Sequence, residues 1–215
     1  MTSLQLRQHI LDELEFEPRV NAANIGVAVE KGVVTLTGHV TSYEKKLATV
    51  RAVRRIKGVR AIADDIEIRF DDGKKTVDDE IAKRAVDILE WDAVVPNGWI
   101  QVTVRDGWIT LNGDVDWYFQ KQSAEDGVRK LSGVRGVINN IAIKPGVQVQ
   151  DVKRRIEDAL KRNAEIEAKD IRVTVSGSKV TLAGTIHDWV EHDAIKNAAW
   201  SAPGVQSVED RLTMG

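Results

Sequence analysis

The chain of 215 residues contains no cysteine. Disulfides and cysteine-based metal sites are therefore excluded, and nothing calls for an oxidising compartment. No apolar run approaches the ~20 residues that a membrane-spanning helix needs. A dominant charge is missing too: 31 basic against 33 acidic side chains leave −2. Residues 1–75 carry 13 basic and 11 acidic groups (+2), residues 76–145 carry 8 and 11 (−3), and residues 146–215 carry 10 and 11 (−1). Affinity for nucleic acid comes mainly from phosphate neutralisation, so no nucleic-acid partner is expected and any anion binding must rest on a local patch. The run Met1–His9 has no basic start followed by an apolar core. That reads as no signal peptide, and the cytoplasm is the expected compartment.

What is present is one short stretch written three times. Val34-Thr35-Leu36-Thr37-Gly38-His39-Val40, Ile109-Thr110-Leu111-Asn112-Gly113-Asp114-Val115 and Val180-Thr181-Leu182-Ala183-Gly184-Thr185-Ile186 share one template. Its alternation marks a strand with one buried face. A glycine inside a strand points to a bulge, a bend or a close backbone approach. A second glycine follows each at twenty residues: Gly58, Gly133 and Gly204. Shifts of 75 and 71 residues superpose the copies without a gap from first helix to last strand, so the repeat sets the domain organisation. The expected domains are 1–70, 76–144 and 149–215. Units of ~70 residues bury only ~60% of their unfolded surface, so the copies should lean on one another.

Each copy opens on an amphipathic helix with its apolar stripe at i, i+4, i+8: Leu6, Ile10, Leu14; Ile81, Ala85, Leu89; Val152, Ile156, Leu160. Thr76, with Asp78 and Asp79 behind it, is the expected start of the second such helix. A strand follows (Ile25–Val29, Ile100–Val104, Ile171–Val175), then a turn with Gly32, Gly107 or Gly177, and the template strand returns as a hairpin. A second helix covers about Tyr43–Lys57, Tyr118–Leu131 and Trp189–Ser201 and should end at Gly58, Gly133 and Gly204. The closing strands are Val59–Ile68, Val134–Ile143 and Val205–Met214. Two apolar helix stripes need one sheet face. The predicted fold is α+β: three tandem αββαβ units, each a three-stranded mixed sheet with both helices on one face.

This order, the V-x-L-x-G strand and the closing pattern Gly133-Val134-Arg135-Gly136-Val137-Ile138-Asn139-Asn140-Ile141 resemble the bacterial OsmY-and-nodulation (BON) domain. Asp65 and Arg211 depart from it where Asn140 stands. The resemblance covers nearly the whole chain. It implies a non-enzymatic binding module associated with envelope stress, osmotic stress included, and with contact to phospholipid.

The copies also control for one another: shared positions are read as fold, and singular ones as function. Trp99, Trp108, Trp117 and Phe119 stand where the other copies are mainly polar. Large aromatics at otherwise polar sites mark a contact surface, for self-association or for a partner. Tyr118 matches Tyr43 and Trp189 and is read as core. The second helix of copy one carries Lys45, Lys46, Arg51, Arg54, Arg55 and Lys57 against one acid, Glu44. With Leu47 and Val50 read as outward, that face would suit an anionic membrane surface or an acidic partner. His187 and His192 are five apart across a strand end and a helix start, which is not metal-ligand spacing on one helical face. The G-x-x-G at Gly133–Gly136 joins a helix to a strand, so it reads as a helix end, not a grip on RNA. No phosphate loop, dinucleotide fingerprint, nucleophile elbow or Cys-His pair occurs. No enzymatic activity, cofactor, metal or small-molecule substrate is expected.

Overall fold

The computed structural model describes residues 2–70, 77–144, 152–162 and 171–215. The expected helix start at Thr76 and most of both linkers lie outside them. The chain forms two compact units, residues 1–112 with 123–140, and residues 113–122 with 141–215. The boundary runs through the middle copy.

Copy one runs α1 (Ser3–Phe16), β1 (Ile25–Glu30), β2 (Val33–Val40), α2 (Tyr43–Arg54) and β3 (Ala61–Ile68). Thr2 caps α1 through a capping box with Gln5, which satisfies two of the amides that a helix start leaves unpaired. The sheet order is β1-β2-β3. β1 lies antiparallel to β2, and β2 parallel to β3, the mixed arrangement that a hairpin followed by a helical crossover requires. Leu6, Ile10 and Leu14 from α1 and Ala52 and Val53 from α2 bury themselves against Val34, Leu36 and Ile66. Burying each large aliphatic side chain contributes about 1.5–3 kcal/mol.

Copy two consists of α3 (Asp78–Trp91), β4 (Ile100–Arg105), β5 (Trp108–Val115), α4 (Tyr118–Val128), β6 (Gly136–Asn139) and β7 (Ala142–Ile143). Its closing strand is not continuous. It breaks at Asn140 and Ile141, and both pieces pair parallel with β5. Asn140 turns its side-chain amide to Asn112 Oδ1 at 3.3 Å, while Ile141 is buried. Copy three repeats the order as α5 (Val152–Arg162), β8 (Ile171–Ser176), β9 (Lys179–Ile186), α6 (Trp189–Trp200) and β10 (Ser207–Met214), with sheet order β10-β9-β8.

The template glycine is explained by copy one. Gly38 has φ +107°, and a Cβ there would fall on the Asn24 carbonyl oxygen. The close backbone approach is therefore real, and only glycine allows it. Gly113 and Gly184 share the positive φ. The second helices stop earlier than their spacing suggests, at Arg54, Val128 and Trp200. A hydrogen-bonded turn then carries the chain on, through Val59 N–H to Ile56 O and its counterparts Val134 to Leu131 and Val205 to Ala202. Gly58, Gly133 and Gly204 close that turn rather than the helix itself.

The copies touch within each unit. In the first, Glu44 of copy one meets Arg129 of copy two at 3.0 Å, and the Arg135 guanidinium lies over the Phe70 ring. In the second, Tyr118 of copy two stacks on Trp200 of copy three, centroids 4.3 Å apart and 8° from parallel. Tyr118 is thus half-buried against a neighbouring copy and not in its own core, a correction to the reading of that aromatic.

Candidate functional site

Among the described residues no group of three or more histidine, aspartate or glutamate side chains is placed to hold a metal ion. His187 Nδ1 faces Glu191 Oε2 at 3.1 Å. His192 lies between Asp193 Oδ1 at 3.2 Å and Asp210 Oδ2 at 2.7 Å. Both rings are held by carboxylates of their own copy. The hydrogen bond to Asp193, and then the bond and charge of Asp210, lift the His192 imidazole above its ordinary value, against burial and the nearby Lys196.

The second helices share a strap that sequence reading did not find. Lys46 Nζ donates to the Ile66 carbonyl at 2.7 Å and pairs with Asp64 at 3.2 Å. Lys121, the matching residue, donates to the Ile141 carbonyl at 2.7 Å. His192 occupies the same position in copy three, and Asp210 the position of Asp64. A basic side chain on the helix thus fastens the closing strand in every copy.

That strap changes the picture of the basic helix. Lys46 is engaged with β3, Arg51 pairs with Glu44, and Arg55 pairs with Glu13 and Glu17. Lys45 donates to the Thr41 hydroxyl, and Arg54 is half-buried. Val50 does not face outward: it packs against the copy-one core, and Leu47 is half-buried. Glu17, buried beside Arg19 and Arg55, has its carboxyl pulled down to about 2, chiefly by the hydrogen bond from Arg19.

The four singular aromatics of copy two are all exposed: Trp99 at 42%, Trp108 at 48%, Trp117 at 45% and Phe119 at 54%. Within the first unit, Trp99 and Trp108 are not gathered in one place. Trp99 precedes β4 and Trp108 opens β5, at opposite ends of a hairpin whose six-residue strand spans ~20 Å. Trp117 and Phe119 flank the start of α4 and belong to the other unit.

Sequence comparison of copies missed a further set. Trp91, the last residue of α3, is 90% exposed, and Phe16, at the same position of α1, is 84% exposed. A small cleft lined by Val86, Leu89, Val95 and Pro96 lies between α3 and the loop before β4. Val86, Val94 and Trp99, lining residues or their immediate chain neighbours, are exposed as well. The apolar surface of the first unit therefore runs from the end of α3 into the loop before β4.

The fold defines a chain of three small α+β modules. The chain belongs to the BON domain family, whose model matches residues 2–69, 77–145 and 148–215. It is similar to the osmotically-inducible protein Y of Escherichia coli (strain K12), 28% identical over 131 residues. The match covers 58% of this chain and 64% of that protein, so the chain spans less than two thirds of its relative's length. Solved structures of CdsD, a structural protein of the type III secretion system of Chlamydia trachomatis, align at 14% identity over 98% of this chain and 92% of that one, with a TM-score of 0.27. Its C-terminal domain aligns over both full lengths with the same identity and score. At that score the likeness carries no argument. No described helix is long and apolar enough to cross a membrane.

Proposed function

We propose that this is a stress-associated binding or scaffold protein without catalytic chemistry, and that its middle copy makes the contact, with a second copy of the chain or with a partner. One observation carries the reading: Trp91, exposed at 90%, stands with Val86, Val94 and Trp99 on one stretch of copy two. Exposing that much aromatic surface is costly in water, and burial against another molecule recovers it. The likeness to an osmotically-inducible protein supports the stress association. The cytoplasm is part of the proposal, since a cysteine-free chain needs no oxidising compartment; cell fractionation checks it.

Sedimentation velocity of the full chain against a Trp91→Ser, Trp99→Ser variant tests the contact. The expected result is a concentration-dependent shift above the 23.9 kDa monomer for the wild type and its loss in the variant. Identical monomeric behaviour of both overturns self-association and leaves the partner version to affinity capture with the same pair of proteins.

A further inference from the structure

Trp108 and Gly136 are partners in the register of β5 and β6. A Cβ at Gly136 would collide with Cε3, Cζ3 and Cη2 of the Trp108 indole. The ring therefore lies flat on the Gly136 backbone, and the glycine is what lets it do so. Neither sibling has the combination: the paired residues are Val33 with Ala61 in copy one and Lys179 with Ser207 in copy three. The second glycine of the G-x-x-G run thus has a use that helix ending does not explain.

The face on which the ring lies is the one without helices. Ile109 and Leu111 are buried, at the positions where Val34 and Leu36 meet the helices of copy one, and Trp108, Thr110 and Asn112 alternate with them. Ile138, 45% exposed, pairs with Thr110 in the parallel ladder, on the same side. Asn140 joins Asn112 next along the strand. Along β5 and β6 the surface from Trp108 to Asn140 is one flat aromatic ring followed by a hydroxyl, an aliphatic side chain and two amides, with no ionisable group; Arg105, at the end of the neighbouring β4, pairs with Asp106. In copy three the corresponding places hold Lys179, Glu209 and Arg211, closed into ion pairs at 2.7 Å.

We propose that this face of copy two binds a neutral pyranose ring of a glycan, stacked on Trp108 and hydrogen-bonded by Thr110, Asn112 and Asn140. It deepens the reading of copy two as the copy that makes contacts. The size of the patch selects the ligand. Half an indole and half an isoleucine expose on the order of 200 Å² of apolar surface, against ~800 Å² per partner in a stable protein interface. One sugar ring matches that footprint. Its C–H face suits the electron-rich face of the indole, and its hydroxyls suit uncharged amide and hydroxyl partners. A charged ligand would find no counter-charge among the β5 and β6 side chains, and at the Trp108 end Arg105 is already matched by Asp106. The indole is already fixed by Gly136, so little ordering is lost on binding.

Calorimetric titration of the full chain with cellohexaose, and separately with N-acetylated chitohexaose, is the test. At least one of the two should bind with a dissociation constant in the millimolar range or tighter. Trp108→Ala should weaken it by about tenfold or more. Gly136→Ala keeps the indole but lifts it from the backbone, and should weaken binding too. Trp91→Ser should bind as the wild type, and circular dichroism should show all variants folded. No heat with either oligosaccharide up to about 10 mM, or undiminished binding by Trp108→Ala, overturns the proposal. Sedimentation through Trp91 and Trp99 is read separately, so a failure here with association intact removes this inference alone.

Discussion

His192 Nε2 lies 2.7 Å from Asp210 Oδ2, at the pair of positions where Lys46 meets Asp64 in copy one. Copy three has therefore replaced a permanently charged strap with one that titrates. The folded imidazole value lies above the ordinary 6.5, so its contribution to stability is fully present below 6.5 and fades as pH rises through the raised value. Thermal melts between about pH 6 and 9 should show a decline that His192→Lys flattens. An unchanged profile in His192→Lys would mean that the imidazole does not hold the strand.

Gly38→Ala should destabilise copy one by about 2–3 kcal/mol, because the new methyl group meets the Asn24 carbonyl and the backbone keeps a positive φ. Urea unfolding measures it. A change below about 0.5 kcal/mol would show that the approach of the two chains relaxes freely.

Asp78 opens α3 and also reaches the β4–β5 turn, where its carboxylate accepts the Asp106 N–H at 2.7 Å and the Gly107 N–H at 2.9 Å. Asp78→Ala should cost about 1–2 kcal/mol and speed hydrogen exchange at those two amides. Unaltered exchange at Asp106 and Gly107 would count against the staple.

The Tyr118–Trp200 stack is measurable by a double-mutant cycle. Replacing each by alanine, singly and together, should reveal a coupling of about 1 kcal/mol, the usual scale for an aromatic pair beyond its buried area. Strict additivity would mean that the rings are neighbours without a mutual preference.

The element order was legible because three copies average out local ambiguity. The stripes Leu6, Ile10, Leu14 and Ile81, Ala85, Leu89 are buried as their spacing predicts, and in the third copy Ile156 and Leu160 are buried with Val152 half-buried against the same core. The surface was less legible, for reasons that particular residues show. Trp91 and Phe16 occupy one position in two copies, so a rule that reads shared residues as fold passed over both, although they are among the most exposed side chains described. The basic helix looked unopposed because its acids are distant in sequence: Asp64 is 18 residues beyond Lys46, and Glu13 is 42 before Arg55. Val50 looked outward because a helical wheel carries no β-sheet or second helix on it. The break at Asn140 could not be seen, since a strand of alternating residues gives no sign of where its partner lets go.

The unit boundary between Asn112 and Gly113, and again between Gln122 and Ser123, divides β5 and α4. The repeat divides the sequence into three similar pieces, yet the compact units follow other borders. A truncation between copies two and three would respect the repeat while severing residues 113–122 from the rest of their unit, so shortened versions should keep the middle copy intact with its successor attached.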